Sequence, residues 1–358
     1  MEEKQASLAS GTPQPYNKPV EHFAYECPGL HDKGARTLVE KRDVKTLIMS
    51  SPHIVIPMFQ RAYCWDAKTT VPTFWMDTVK GARHSIGRAI YKVMNGHLWC
   101  LDGQQRITTC LLLVASARDA ILKMDDSEDK EAALTELEGM LYLDRDEAVG
   151  AARERYQEDT QSFLIDDGEL LESVKLLPSY CDRRAFFELV LAGHAPGNVK
   201  LSAKTLSSCQ FSTKSYFDHQ FAKITTVDKV LRRARSAVAM THMLVEIQTN
   251  VHVGQVFLWL QEKAMGSIAA LLHNPKPGLS MHATDLARSL FLSPFMAEPL
   301  EVQERVFKDY WLDPIEIPLK VRLLDILFVY FSGGVYCSVC IRVCLPVLLD
   351  QWRKHFAR

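Results

Sequence analysis

Residues 98–122 read LWCLDGQQRITTCLLLVASARDAIL and carry the clearest structural signal in the chain. The short apolar run that ends at Asp102 is typical of a strand. Asn95-Gly96, just before it, predicts a hairpin turn because both residues tolerate positive φ angles. After Asp102, apolar residues recur at steps of three and four, which predicts an amphipathic helix. The polar residues DGQQR, 102–106, therefore lie at a corner between a strand and a helix.

The start of such a helix is a favourable site for phosphate. Its first backbone N–H groups have no partner within the helix, and the helix dipole adds partial positive charge. Gly103 lets a ligand approach the backbone, and Arg106 offers a planar set of donors to phosphate oxygens. Asp102 has the chemistry to hold Mg²⁺. Further donors and acceptors come from Gln104, Gln105, Thr108 and Thr109. The structural alternative is that Asp102 caps the helix, Gly103 makes the turn, and the amides face solvent.

A second polar cluster lies in IPMFQRAYCW, residues 56–65, where Gln60 and Arg61 follow a predicted strand. If this strand shares a sheet with the strand before DGQQR, both clusters emerge at one rim, and Arg61 supplies a second cation to a polyphosphate. The aromatic residues have two possible roles. Tyr63 or Trp65 offers a face for stacking on a base, or the rings fill the core beneath the loop.

The composition predicts an intracellular globular protein, cytoplasmic or nuclear. The chain has 358 residues, enough for about two packed units, and its 47% apolar and 24% charged residues are ordinary for this class. Nine cysteines without a framework spacing, and no signal peptide, predict free thiols. The apolar run at 323–349 contains charges and a Ser-Gly-Gly break, which favours two short buried helices over a membrane span.

The formal net charge of -1 gives no overall field that attracts nucleic acid. Nucleic acid would therefore need a local basic patch. One such patch consists of Lys229, Arg232, Arg233 and Arg235. A run of this kind is more often a solvated helix face.

The two polar clusters together resemble the N-terminal domain of GmrSD-type restriction endonucleases, whose fold is similar to ParB and sulfiredoxin. The family pattern has isoleucine or valine, proline, any residue and FQR or YQR, followed by an aromatic pair and later by DGQQR and a hydroxyl-rich helix start. This chain reads IPMFQRAYCW, then SIG at 85–87, then LDGQQRITT, with a weaker likeness up to about residue 315. The resemblance implies an α+β fold, with a small mixed sheet and helices followed by a mainly helical second domain.

The resemblance and the acidic run KMDDSEDKE at 123–131 together predict three parts. Residues 1–34 form a disordered N-terminal segment. Residues 35–125 form a ParB/sulfiredoxin-like nucleotide-binding domain. Residues 126–358 form the mainly helical domain.

The resemblance also implies that the chain binds and hydrolyses a nucleoside triphosphate with Mg²⁺ in a DNA restriction or defence system. The expected catalytic residues are Asp102, Gln105 and Arg106, with Asp102 also the metal ligand. The expected nucleotide-binding residues are Gln60, Arg61, Tyr63, Gly103, Gln104 and Thr108. The expected partners are the nucleotide, DNA and a nuclease acting in trans, with no membrane. A nuclease domain of the HNH type needs a histidine base together with a metal-binding partner, and only His355 follows residue 315. We therefore expect that the chain carries no HNH nuclease domain of its own.

Two other functions stay open. Where the family has LN and a nearby RG, this chain has FLWLQEKAMGS at 257–267, which favours a non-catalytic scaffold that binds nucleic acid or protein. Phosphoryl transfer of the sulfiredoxin kind needs a reactive thiolate beside Arg106. Cys64 and Cys100 are the nearest cysteines in sequence, and their apolar neighbours predict inert thiols.

Overall fold

The computed structural model describes residues 37–50, 52–195, 197–247, 288, 291–292, 295–296 and 298–317. The predicted disordered segment at 1–34, the apolar run at 323–349 and the divergent stretch at 257–267 lie outside these residues. Among the described helices, none combines the length and the hydropathy needed to span a bilayer.

Six strands form one mixed sheet, and two more form a separate hairpin. The sheet strands are β1 (Thr37–Asp43), β2 (Ile54–Val55), β3 (Ser85–Met94), β4 (His97–Asp102), β7 (Leu176–Leu177) and β8 (Thr241–Ile247). The hairpin consists of β5 (Tyr156–Gln157) and β6 (Ser162–Phe163). The order in the sheet is β1-β8-β3-β4-β2-β7. β8 pairs antiparallel with β1 and parallel with β3, β3 pairs antiparallel with β4, and β2 pairs parallel with both β4 and β7.

Helices make up most of the remaining described structure. They are α1 (Val44–Met49), α2 (Thr70–Asp77), α3 (Gln104–Leu122), α4 (Glu128–Leu141), α5 (Arg145–Arg155), α6 (Arg183–Leu191), α7 (Ala203–Leu206), α8 (Cys209–Phe221), α9 (Val227–Val238) and α10 (Leu300–Phe307). Shorter 3₁₀ turns occupy Thr78–Arg83, Tyr180–Asp182 and Ala192–His194, and a π-helical stretch occupies Lys308–Glu316.

The strand-turn-helix prediction around DGQQR is confirmed. Asn95 and Gly96 turn between β3 and β4 with φ angles of 52° and 77°, β4 ends at Asp102, and α3 begins at Gln104. The strand before FQR is β2, the parallel neighbour of β4. The two motifs therefore do emerge from adjacent strands of one sheet.

Helix α3 is more buried than its sequence pattern predicts. The pattern indicates one apolar face, but α3 packs against α4, α8 and α9, and every residue from Ile107 to Arg118 is buried. Ser116 and Arg118, which are polar, are covered along with the apolar side chains. Burial on all sides follows because neighbouring helices cover the faces of α3 that point away from the sheet.

The α+β class with a mixed sheet is confirmed. The part predicted to be mainly helical contributes four of the described strands: β7 and β8 join the same sheet as β1 to β4, and β5 and β6 form the hairpin. The proposed boundary between residues 125 and 126 falls between α3 and α4, which pack together. The division of the chain into three parts stays a prediction.

Candidate functional site

The start of α3 has no side-chain cap. Gly103 occupies the N-cap position with φ 110° and ψ 0°, and a Cβ added there would lie 3.0 Å from the Cβ of Ala89. Only glycine adopts this conformation without strain. The carboxylate of Asp102 makes no hydrogen bond to a described residue, so the alternative in which Asp102 caps the helix is not what the structure shows. The backbone N–H of Arg106 donates to the carbonyl oxygen of Gly103 at 3.0 Å, so the first-turn N–H groups that remain for a ligand are those of Gln104 and Gln105.

The amide of Gln104 links the two sequence motifs. Its Nε2 donates to the carbonyl oxygen of Arg61 at 2.9 Å and to Oε1 of Gln60 at 3.2 Å. The Nε2 of Gln60 donates in turn to the carbonyl oxygen of Leu101 at 2.7 Å. Gln60 and Gln104 are both buried. Both amides therefore hold the loop after β2 against the end of β4.

Gln105 holds the same loop one step further along. Its Oε1 accepts from the backbone N–H of Cys64 at 2.9 Å, and its Nε2 donates to the carbonyl oxygen of Ala62 at 3.2 Å. Gln105 is buried. In the structure, the amides of Gln104 and Gln105 bind the loop after β2. This differs from the expectation that they are presented to a nucleotide, and also from the alternative that they face solvent. The amides are engaged because the loop backbone at 61–64 needs partners once it is covered.

Tyr63 fills the core rather than presenting a face for stacking. It is 6% exposed, and its hydroxyl lies 2.7 Å from Oγ1 of Thr109 and 3.1 Å from Oγ1 of Thr213. Burial raises the pKa of the Tyr63 phenol well above its ordinary value. Trp65 is half-buried and makes an edge-on contact with Phe74. The core-filling alternative is the one that the structure shows for Tyr63.

Arg106 turns away from the FQR loop. Its Nη1 donates to the carbonyl oxygen of Arg88 on β3, whereas the backbone of Arg61 lies in the loop after β2. Because β3 and β2 flank β4 on opposite sides, the backbone of Arg61 and the guanidinium of Arg106 lie on opposite flanks of that strand. Both arginines are half-exposed. A ligand that contacts both has to span the start of α3.

Asp102 fits a magnesium ion only as a single protein ligand. Its carboxylate is half-exposed beside the start of α3. Within the described ranges, no group of three or more His, Cys, Asp or Glu side chains is placed to hold a metal. Mg²⁺ commonly keeps several waters and takes one or two carboxylates together with substrate phosphates. Thr108, expected to contact the nucleotide, is buried in α3.

A histidine that the sequence did not single out lies beside Arg106. His242 on β8 and Arg106 line one small cavity of about 10 Å³ together with Gly103. His242 is 3% exposed, and its Nε2 has no hydrogen-bond partner among the described residues. No motif marks His242 in the sequence. Only the parallel pairing of β8 with β3 brings it to this position.

A cleft lies at the other end of α3. It has a volume of about 370 Å³ and is lined by residues of α3, α8 and the loop after α6. At its floor, Lys214 donates to Oδ2 of Asp119 at 2.6 Å and to Asp218 at 3.0 Å. The fully buried Arg118 completes the network with its Nε 2.8 Å from Oδ1 of Asp119. The charges on this floor are already paired with one another.

The three arginines of the basic patch on α9 make contacts within the protein. Arg232 pairs with Asp228, and Arg235 pairs with Glu136 at 2.6 Å. The guanidinium of Arg233 lies over a tryptophan ring, 4.1 Å from its centroid. These contacts favour the interpretation of α9 as a solvated helix face.

The cysteines near DGQQR differ from each other in exposure. Cys100 is buried, and burial raises the pKa of its thiol, so this thiol is inert as predicted. Cys64 is exposed, although its neighbours in sequence are apolar. Cys64, Cys100, Cys110 and Cys209 are free thiols, as the sequence predicts.

Comparison with protein families gives a match over the sheet and the helices around it. The model of the family described as GmrSD restriction endonuclease, N-terminal domain, matches residues 38–262. This range includes FQR, DGQQR and the strands that carry them. Comparison with curated proteins found no match. The chain therefore belongs to the family of GmrSD restriction endonuclease N-terminal domains.

Proposed function

We propose that this chain is the nucleotide-binding and nucleotide-hydrolysing module of a restriction or defence system, with its phosphate site at the start of α3. The observation that carries the proposal is the uncapped first turn of α3 with Arg106 beside it. Backbone N–H groups, the helix dipole and a guanidinium all favour a negatively charged group at this place.

The described residues divide into two roles in this proposal. Arg106 and the backbone at Gly103 bind the phosphate directly. Arg61, on the other flank of β4, neutralises charge further along the polyphosphate. Gln60, Gln104 and Gln105 position the loop that carries Arg61 through the hydrogen bonds described above.

Hydrolysis in this proposal depends mainly on stabilising charge as the terminal phosphoryl group is transferred to water. Asp102 is the residue that would hold a magnesium ion, which supplies neutralisation of the phosphate oxygens when bound. The carboxylate is suited to this role because it makes no hydrogen bond to a described residue. Arg106 reaches the same corner and contributes the fixed positive charge.

A second candidate function is a non-catalytic module that binds nucleic acid or protein and keeps the fold. The observation that favours it is the internal use of the amide of Gln105, the expected catalytic glutamine, because both its Oε1 and its Nε2 bind the loop backbone. These bonds leave Gln105 little capacity to orient an attacking water. Because the family is that of restriction endonucleases, either candidate acts in the context of DNA.

Measurement of binding and hydrolysis of each nucleoside triphosphate with Mg²⁺, with and without DNA, tests the proposal. Arg106→Ala is expected to weaken nucleotide binding by about 1.5 to 3 kcal/mol, the value of a hydrogen bond to a charged group. Arg232→Ala is the matched control, because Arg232 is exposed on α9 and pairs with Asp228. Binding with turnover that Arg106→Ala abolishes supports the enzyme. Binding without turnover refutes the hydrolysing role and keeps the nucleotide-binding role, and a parent protein that binds no nucleotide refutes the proposal and favours the second candidate.

A further inference from the structure

His242 is a buried polar side chain without a described partner, and such groups are rare in folded proteins. Its Nε2 has no hydrogen bond to a described residue although the side chain is only 3% exposed. Leaving a polar atom unpaired in this way costs about 1 to 3 kcal/mol. A cost of this size indicates that a ligand or a water molecule completes the site.

The cavity next to His242 opens onto the start of α3. Gly103 and Arg106 line it from α3, Ala89 and Tyr91 line it from β3, and His242 lines it from β8. Its volume of about 10 Å³ is that of a single water molecule or a single oxygen atom. A whole phosphate group does not fit, but one oxygen of a phosphate bound at the helix start does.

The backbone around this cavity favours close approach of a ligand. Gly87 on β3 has φ 96° and is exposed, and a Cβ added there would lie 3.7 Å from the guanidinium carbon of Arg106. Gly103, which also lies beside the guanidinium of Arg106, has a positive φ as well. Both positions that border Arg106 therefore lack side chains that would cover it.

We propose that His242 is a further phosphate-binding residue, whose Nε2 contacts one oxygen of the phosphoryl group held by Arg106 and the first turn of α3. This inference rests on the proposed function, because it assigns an additional residue to the same site. The contact is a hydrogen bond that His242 donates from Nε2. The phosphoryl group belongs to a nucleotide or is free phosphate, and the test separates the two.

The charges around His242 decide its protonation state. Burial first, and then the charges of Arg106 on α3 and Arg42 on β1, lower its pKa to about 4, while Asp43 acts in the opposite direction. Tyr91 on β3 also faces the ring. The free imidazole is therefore neutral at neutral pH. A bound phosphate raises the pKa of His242, so binding is accompanied by proton uptake and becomes tighter as the pH falls.

The decisive measurement is the calorimetric binding of inorganic phosphate and of nucleoside triphosphates to the full chain. It compares the parent protein with four variants, each of which carries one substitution. His242→Gln keeps an amide nitrogen near the position of Nε2. His242→Asn places its amide near Nδ1 instead, and His242→Phe removes both nitrogens. His219→Gln is the matched control, because His219 is exposed on α8. Thermal unfolding of each variant shows whether it is folded.

We expect binding about tenfold weaker in the Phe and Asn variants, and largely retained in the Gln variant. The dependence of affinity on pH should be smaller in the Gln variant than in the parent, because glutamine does not titrate. Titration of the phosphate itself contributes equally in both proteins. Tighter binding of a triphosphate than of phosphate, with both affected by His242→Phe, identifies the nucleotide as the source. If His242→Phe weakens the binding of inorganic phosphate but not that of the triphosphates, free phosphate is the ligand.

Two results overturn the inference. If folded His242→Phe and His242→Asn bind as the parent does, His242 does not contact the ligand, and the proposed function stands on Arg106 alone. If all the His242 variants bind equally weakly and share the same pH dependence as the parent, the histidine acts on the fold only. A parent that binds neither probe refutes the proposed function together with this inference.

Discussion

The side-chain amide of Gln104 donates to the backbone carbonyl of Arg61 at 2.9 Å, across the junction between two adjacent parallel strands. This hydrogen bond joins DGQQR to FQR directly. The two motifs are therefore parts of one structural unit as well as neighbours at one rim. The amides position the loop, and in the proposed function the two arginines supply the charge that binds a phosphate.

Substitution of Gln104 by leucine should destabilise the protein. The change leaves the buried Oε1 of Gln60 and the partly buried carbonyl of Arg61 without their donor, at a cost of about 1 to 3 kcal/mol in the free energy of unfolding. Urea denaturation measures this cost. Gln157→Leu is the control, because Gln157 is exposed. An unchanged unfolding free energy for Gln104→Leu would show that the loop does not depend on this amide.

Tyr63→Phe should separate packing from ligand stacking. The ring is retained, but the hydroxyl contacts with Thr109 and Thr213 are lost, so we expect a loss of about 1 to 2 kcal/mol of stability. Nucleotide affinity should stay that of the parent. Tyr216→Phe is the control, because the half-buried Tyr216 hydroxyl has no hydrogen bond to a described residue. A loss of affinity in folded Tyr63→Phe would place the phenol in the ligand site.

Gly103→Ala should be destabilising, whereas Gly139→Ala should not. At Gly103 a Cβ meets Ala89 at 3.0 Å and φ is 110°, which together predict a loss of about 1 to 3 kcal/mol. Gly139 is inside α4, where an added Cβ meets nothing within 4 Å, and alanine there should stabilise by about 0.5 to 1 kcal/mol. Thermal and urea unfolding of both variants check the contrast. Equal effects in the two variants would contradict the positional argument.

The ion network of Arg118, Asp119, Lys214 and Asp218 at the end of α3 should make the free energy of unfolding depend on pH. Burial raises the pKa of Asp119, but Arg118 and Lys214 more than offset this, so its pKa lies below the ordinary value. The stabilisation from this carboxylate is therefore present above its unfolded pKa of 3.8 and is lost as the pH falls through the folded pKa.

Lys214→Met should raise the pKa of Asp119 and leave it with one cation fewer in a buried setting. We expect a loss of about 3 to 5 kcal/mol near neutral pH. The difference from the parent should shrink in acid, where Asp119 becomes protonated in both proteins. Unfolding free energies across a pH series measure this, with the exposed Lys223→Met as control. A difference that does not vary with pH would exclude Asp119 as the responsible group.

Much of the local structure could be predicted from the sequence. The Asn95-Gly96 turn, the end of β4 at Asp102 and the start of α3 all follow from turn chemistry and from the spacing of apolar residues. These features depend on neighbours a few positions away, and this is the range over which backbone preference and side-chain periodicity act. The family was also readable from two short motifs in order, and the match over residues 38–262 confirms it.

The roles of individual side chains could not be predicted in the same way. Gln105 and Tyr63 carry groups that suit a ligand or a core, and burial alone decides between the two. Tyr63 contacts Thr213 on helix α8, and Gln105 contacts the loop after β2. In both pairs the two residues are far apart in the sequence.

The sequence by itself therefore determined the secondary structure at the corner and the family, whereas the adjacency of the two motifs depended on the pairing of β2 with β4. Only the tertiary structure decided that the amides bind the loop, that Arg106 turns to Arg88, and that His242 reaches the same cavity. The physical reason is that hydrogen-bonding groups take whichever partner the packed chain brings within about 3 Å. That partner is set by the pairing of strands such as β8 and β3, which no local pattern encodes.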